Sequence, residues 1–311
     1  MRAIIKQIRL PNLVIIAVTL YAFRYLVVKP YYRMSGTDFQ MDTMSFGLMV
    51  AITMLIAVIG YLSNDYFDAG IDQINHPERV PINRKVKERT LITTAFLLSL
   101  VCVAGITILS IRLGSGLVAF VLLLALFTVW WYARILKRSF IWGNLAVSLM
   151  SSLTLGMAWF FEWIKLNSGG FHLYETKPIT LISLGICFFA FILSLIREIV
   201  KDIEDMEGDE QFGCRSMPII KGVPFAKKFT RVLSVLLLAS LIYSQYWLIK
   251  QNFQLVVIWL VPAVEIPLLL FLFRLNNAFT TNEFHKISRS LKWIMVGGIA
   301  SMGVIWLNFR F

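Results

Sequence analysis

Three cysteines and three histidines among 311 residues leave little room for the chemistry those side chains usually carry. Cys102 and Cys187 fall in apolar segments expected to be helical and Cys214 in a polar connection, so a disulfide framework is excluded and the thiols read as packing residues. His76, His172 and His285 are scattered, without the spacing of a zinc site. No Ser-His-Asp or Cys-His arrangement is legible. Charge is scarce as well: 15% of residues are Asp, Glu, Lys or Arg, against about 25% in soluble domains. The basic start MRAIIKQIRL and the apolar run after it have no small-residue cleavage site before Arg24, so this run is expected to be a retained helix and not a removed leader.

What fills the chain instead is hydrocarbon. Hydrophobic residues make up 58% and the mean hydropathy is +0.73, the composition of a membrane protein. Crossing roughly 30 Å of hydrocarbon takes about 20 apolar residues. Nine stretches qualify, near 10–28, 45–63, 91–111, 115–133, 141–163, 178–196, 230–249, 253–273 and 291–309. With the N-terminus in the cytoplasm, 22 of the 30 Lys and Arg residues fall on the cytoplasmic side, a bias that a miscounted helix would have scrambled. The expected architecture is all-α: a polytopic membrane protein of nine helices around a central cavity, its N-terminus cytoplasmic, with residues 1–311 forming one transmembrane unit. The net charge of +12 then reads as orientation and attraction to anionic lipid or diphosphate, not nucleic-acid binding.

Against this background NDYFDAGID at 64–72 stands out. Asp65, Asp68 and Asp72 are spaced three and four apart, which on one helix places them within roughly 60° of each other. In REIVKDIEDMEGDE, Asp202, Asp205 and Asp209 repeat that spacing, with Glu198 a turn earlier. Both stripes begin at the cytoplasmic end of an expected membrane helix. Stacked like charges destabilise a helix, and hard divalent cations compensate naturally: Mg²⁺ takes oxygen ligands and is commonly held by one or two carboxylates while substrate phosphates supply the rest. Ionisable residues at membrane depth are functional candidates by default.

Cations accompany both stripes. Arg79 follows Asp72 by seven residues, Lys137 closes the loop YARILKRSFIWGN, and Arg197 and Lys201 flank the second stripe; a guanidinium or ammonium there suits phosphate oxygens. Trp159 and Phe160 are candidates to face a carbocation, with plain packing the competing reading.

NDYFDAGID resembles the N-D-x-x-D-x-x-x-D motif of the UbiA superfamily of intramembrane prenyltransferases, and DIEDMEGD resembles its second motif, D-x-x-D-x-x-x-D. Asn75, Pro77 and Arg79 are similar to the family's N-x-P-x-R segment, with Val80 where proline is usual. YARILKRSFIWGN is similar to its Y-x-x-x-L-K-R…G-N loop, and GDEQFGCRSMPI to its G-D…G…T-L-P ending, with Ser216 and Met217 substituted. The resemblance implies Mg²⁺-dependent transfer of an isoprenoid from its diphosphate to an acceptor within the cell membrane, at a site opening to the cytoplasmic side. It implies that Asn64 and the carboxylates Asp65, Asp68, Asp72, Asp202, Asp205 and Asp209 hold Mg²⁺ and the diphosphate. Arg79, Lys137 and Lys201 are expected to contact phosphate oxygens, and Asn12 to lie near the substrate. Asp68, Asp72, Asp205 and Lys201 are the expected catalytic set.

Arg-Glu-Ile before Lys201-Asp202 is most similar to the branch that transfers geranylgeranyl to geranylgeranylglyceryl phosphate. Branches acting on aromatic acids or naphthoate more often carry tyrosine at the position of Arg197, and an added cation suits a phosphorylated acceptor. The alternatives are an aromatic-ring prenyltransferase of quinone biosynthesis, with a 4-hydroxybenzoate or naphthoate acceptor, and, from another class, a cation or solute transporter. Transporter sites favour broken helices near the midplane, whereas these carboxylates sit at helix ends beside phosphate-binding cations.

Overall fold

The computed structural model describes residues 8–75, 88–168 and 176–309, and these are helical, without a strand. Among the described residues, nine helices are long and apolar enough to cross a membrane: α1 (Leu10–Ser35), α2 (Thr43–Phe67), α3 (Arg89–Leu113), α4 (Gly116–Arg134), α5 (Trp142–Asn167), α6 (Lys177–Glu204), α7 (Val223–Lys250), α8 (Gln254–Asn277) and α9 (Thr281–Asn308). The number agrees with the hydropathy reading; the ends do not. α6 runs eight residues past its apolar stretch, α7 begins seven early and α9 ten early, because polar helix former sequences continue the hydrogen-bond ladder once a membrane span has nucleated it. The connection after α6 is correspondingly shorter than expected and contains two short helices, Met206–Gln211 and Met217–Lys221.

Prolines shape the spans without breaking them. α1 widens into a π-turn at Phe23–Val28 just before Pro30, and α8 does so at Val261–Glu265 around Pro262. A proline lacks the N–H of the normal ladder, and a wider turn re-seats the neighbouring carbonyls. Lipid-facing surfaces carry exposed Phe96, Leu97, Leu100 and Ile108 on α3 and Phe120 and Phe127 on α4, as hydrocarbon solvation requires.

α6 packs against α5, α7 and α9, and α2 against α3 and α4. The start of α1, the ends of α2, α4 and α6, and the starts of α5 and α9 meet at one end of the bundle, which carries both acidic motifs. The segment between α1 and α2 lies at the opposite end. There Glu162, 1% exposed, accepts hydrogen bonds from Gln40 N at 2.5 Å and Met41 N at 3.2 Å. Arg24, also buried, donates to the Met41 carbonyl at 2.6 Å and lies 4.1 and 4.3 Å from the centroids of Phe39 and Phe46. These charges fix how the chain turns between spans and stand apart from the motif end. Trp159 belongs to the packing here, donating to Thr180 Oγ1 at 3.1 Å, while Phe160 stacks on Trp163.

α2 starts at an N-cap, Asp42, whose Oδ1 accepts from Met44 N and Ser45 N at 2.9 and 3.0 Å. The Ser45 hydroxyl and backbone N–H are the main reasons its carboxyl is held down at about 2, below its ordinary 3.8. Its capping contribution is therefore complete above pH 3.8 and is lost as pH falls through about 2. Asp42→Ala is expected to cost about 1 kcal/mol, lowering the unfolding temperature in detergent at neutral pH, with the gap to the parent protein closing on acidification.

Candidate functional site

At the motif end a cavity of about 1310 Å³ runs into the bundle. Its mouth is lined by Arg9, Asn12, Asn64, Asp65, Asp68, Asp72, Asn75, Lys137, Arg197, Glu198, Lys201, Glu204, Asp205 and Asp209; deeper it is walled by apolar residues such as Ile56, Ala125, Met157, Leu237, Leu260, Val264 and Met302. α3 contributes nothing to it.

The two acidic motifs are built alike, and neither lies on one continuous helix as the spacing predicts. α2 ends with Asp68 as its C-cap, at φ −94° and ψ 1°, and α6 ends with Asp205 as its C-cap, at φ −91° and ψ 3°. Each break is followed by a short helix, Asp72–Asn75 or Met206–Gln211, carrying the third carboxylate. A helix C-terminus bears partial negative charge, so carboxylates there are disfavoured, and extending the helix through a third one would add to the repulsion. Breaking at the middle aspartate turns the third carboxylates inward, and Asp72 and Asp209 both line the cavity.

Cations interleave with the acids. Lys137 Nζ pairs with Asp68 Oδ2, to which Asn64 Nδ2 also donates at 2.5 Å. Lys201 lies 3.6 Å from Asp205 Oδ2, Arg9 is 2.8 Å from Asp65 Oδ1, and Arg197 pairs with Glu198. Burial pulls the Lys137 ammonium down, but Asp68, Asp209 and Asp205 together outweigh it and the net shift is upward. Asp209 is pushed up to about 6, first by burial and then by Asp205 and Asp68, with Lys137 and Lys201 opposing. Burial also raises the Cys214 thiol to about 11, which keeps it protonated and inert. Acids and cations at the mouth are therefore closely coupled, with burial the largest influence on Asp209.

Lys137 is delivered by a tight turn, Leu136–Arg138, after α4. Gly143 permits that turn: a Cβ there would come within 2.6 Å of the Leu136 carbonyl oxygen. Asn144 next to it donates to Asp202 Oδ2 at 2.8 Å. Asp202, expected among the metal ligands, is consequently held by α5 and is not among the cavity-lining residues. Three residues back from Asp205 is an offset of about 60° on a helix, enough to turn it toward α5. Arg79 lies outside the described residues.

Spacing alone did not find two members. Arg9, preceding α1, pairs across to α2, and Asn75 ties the two motifs together. Asn75 donates from Nδ2 to the Asp205 carbonyl at 2.8 Å and accepts at Oδ1 from Gly208 N at 2.9 Å. Gly208 must be glycine for this, since a Cβ would sit 2.5 Å from Asn75 Oδ1.

Do these residues suit Mg²⁺? Among the described residues no group of three or more His, Cys, Asp or Glu closes on a point to hold a metal by itself. The donor chemistry nevertheless fits: carboxylate and amide oxygens converge, and Asn64 Oδ1 is buried with no hydrogen-bond partner, an oxygen acceptor awaiting a donor or a cation. Mg²⁺ needs only one or two carboxylates when water and phosphate complete its shell.

Residues 35–295 match the UbiA prenyltransferase family, and the chain belongs to that family; it is a multi-pass membrane prenyltransferase. Among its curated relatives, the digeranylgeranylglyceryl phosphate synthase of Methanosphaera stadtmanae is 30% identical over 236 residues, covering 75% of this chain and 77% of that protein. The enzyme of the same name from Ignicoccus hospitalis is 33% identical over 187 residues, covering 59% of this chain and 56% of that protein. A solved structure concerned with digeranylgeranylglyceryl phosphate synthase in membranes superposes with a TM-score of 0.61 at 23% identity, covering 100% of this chain and 99% of that one. A UbiA homologue from Aeropyrum pernix K1 gives 0.57 at 14% identity, over 94% and 96%. At these identities the two structures speak for the fold alone.

Asn75→Ala removes both hydrogen bonds that join the motifs, leaving the Asp205 carbonyl only the Asp209 N–H at 3.2 Å, and Gly208→Ala drives a methyl group into Asn75. Each is expected to cost about 1–3 kcal/mol and to slow transfer. Because Asn75→Ala removes the clash, the double variant is expected to be less impaired than the sum of the single ones; additive losses in thermal unfolding and turnover would disprove the coupling.

Proposed function

We propose that this protein transfers a geranylgeranyl group from its diphosphate to the free hydroxyl of geranylgeranylglyceryl phosphate, with its N-terminus and cavity mouth on the cytoplasmic side and residues 1–311 acting as one transmembrane unit. The observation that carries this reading is the convergence of both acidic motifs, with interleaved cations, on the mouth of a single cavity that is apolar beyond it. The names of the curated relatives support the acceptor. At about 1310 Å³ the cavity exceeds the roughly 300–1,000 Å³ of a pocket for one small ligand, leaving room for donor and acceptor together.

Asn64, Asp65, Asp68, Asp72, Asp205 and Asp209 are the residues to hold Mg²⁺, with Asp202 bracing the group from behind through Asn144. The ion, when bound, neutralises diphosphate charge and so makes it a better leaving group. Lys137 and Lys201 donate to diphosphate oxygens on the same side, fixing the leaving group and taking up the charge that develops as the bond stretches. Asn12 and Arg9, at the start of α1, border the same mouth. The apolar wall excludes water from the allylic carbon while its C1–O bond breaks and the electron pair leaves with diphosphate. The acceptor oxygen then forms the new C1–O bond, and its proton passes to a carboxylate of the second motif or to the departing diphosphate.

Membranes containing the protein, labelled geranylgeranyl diphosphate, Mg²⁺ and a panel of glyceryl phosphate and aromatic acceptors, with the product identified by mass, test the reading. Exclusive labelling of an aromatic acceptor would overturn it. Asp68→Ala and Asp205→Ala are each expected to lower transfer by about 100-fold or more without loss of folded protein. Chelation of divalent ions is expected to abolish transfer and Mg²⁺ to restore it.

A further inference from the structure

Facing the second acidic motif is a row of side chains outside both motifs. His285, Ser288, Arg289 and Lys292 on α9 all line the cavity, and their spacing of three or four puts them on one helix face. The same face continues inward as Val296, Ile299 and Met302, which border the cavity together with Trp293, Ile294, Met295, Gly298 and Ser301: cations near the mouth, a largely apolar stretch beyond. Lys286, on the same turn, is exposed and does not line the cavity. Cations that only orient a membrane helix have no reason to share the cavity side with an apolar track.

The register between α9 and α6 follows from one contact. His285 Nδ1 is 2.6 Å from Glu204 Oε1, and α6 approaches this end as α9 leaves it. Seven residues from that pair along each helix, about 10 Å, bring Arg197 on α6 and Lys292 on α9 to the same depth; Lys201 lies about 6 Å and Arg289 about 4.5 Å nearer the mouth. Arg197 pairs with Glu198 through Nη1, yet its Nε is buried with no hydrogen-bond partner. An unspent guanidinium donor opposite two more cations, with the Lys201–Asp205 pair one turn away, is a place for an anion separate from the diphosphate.

We propose that Arg197, Arg289 and Lys292 form the subsite for the phosphate monoester of the acceptor, with its alkyl chain lying along Val296, Ile299 and Met302. This inference rests on the glyceryl phosphate reading above. The spacing is chemically apt: in a glyceryl phosphate the reacting hydroxyl and the phosphorus are separated by a few bonds, and Lys201 and Arg197 are one helical turn apart, about 6 Å. A phosphate held by Arg197 therefore presents its neighbouring hydroxyl toward the carbon whose diphosphate Lys201 holds. The subsite selects a phosphorylated acceptor because three cations around an apolar-walled cavity leave an uncharged headgroup without their strongest hydrogen bonds.

The test is steady-state kinetics of the purified protein with geranylgeranylglyceryl phosphate and with geranylgeranylglycerol, its dephosphorylated counterpart. R289Q/K292Q is expected to raise KM for the phosphorylated acceptor about tenfold or more, to leave KM for geranylgeranyl diphosphate within about twofold, and to shrink the preference for the phosphorylated acceptor by a similar factor. K292R is expected to restore most of the loss, and K286Q to behave as the parent protein. Arg289 and Lys292 are exposed, so folding should survive; if the double variant unfolds, R289Q and K292Q singly carry the same comparison. An unchanged acceptor KM in a protein that uses the phosphorylated acceptor would overturn the subsite and leave the functional reading intact. Equal rises in donor and acceptor KM would assign these cations to the diphosphate and also overturn it. If the parent protein transfers to neither glyceryl acceptor, the functional reading itself fails and the subsite with it.

Discussion

Repulsion among carboxylates at the ends of two membrane helices is the constraint around which the rest of this protein is arranged. A helix C-terminus is already partly negative, and α2 and α6 each place an aspartate there, with a second on the last turn and a third on the short helix that follows. Apolar surroundings offer little screening. The fold answers with cations drawn from three directions: Arg9 from the entrance to α1, Lys137 from the turn after α4, and Lys201 from α6 itself. Asn144 takes up Asp202 from behind. Asn64 Oδ1 is left buried without a hydrogen-bond partner, and burial, ahead of its charged neighbours, holds Asp209 up near 6.

The two ends of the bundle use buried charge differently. At the end opposite the motifs, Glu162 is engaged by backbone N–H groups of the segment between α1 and α2, and Arg24 by that segment's Met41 carbonyl and Phe39 ring and by Phe46 on α2, and they hold that connection in place. At the motif end, charges face a cavity and one another. Asn75 joins the segment after α2 to the segment after α6 through two backbone groups.

Much of this was legible in the residues. Hydropathy and the Lys/Arg bias gave nine spans because bilayer thickness sets a length that composition must meet. The paired three-and-four spacing of aspartates gave the acidic motifs, because the period of a helix converts spacing into direction. Spacing did not reveal that both helices stop at the middle aspartate, since repulsion and the helix dipole oppose continuation only in the three-dimensional field of neighbouring charges. Nor did it reveal that Asp202 is captured by Asn144, 58 positions away, or that Arg9 reaches Asp65.

The extension of α9 to Thr281 shows where sequence stops and tertiary structure begins. As a string, 274–292 is a polar connection whose cations set orientation. Continued as helix, it gives Arg289 and Lys292 a direction, and packing against α6, registered by His285 and Glu204, points them into the cavity while Lys286 stays outside. Sequence alone determined what the chain is made to do: how many times it crosses a membrane, which oxygen-rich motifs it carries, and what chemistry those residue types suit. Tertiary structure decided which side chains meet, because pairing between distant segments depends on helix register and rotation, and these are fixed by packing that no local pattern encodes.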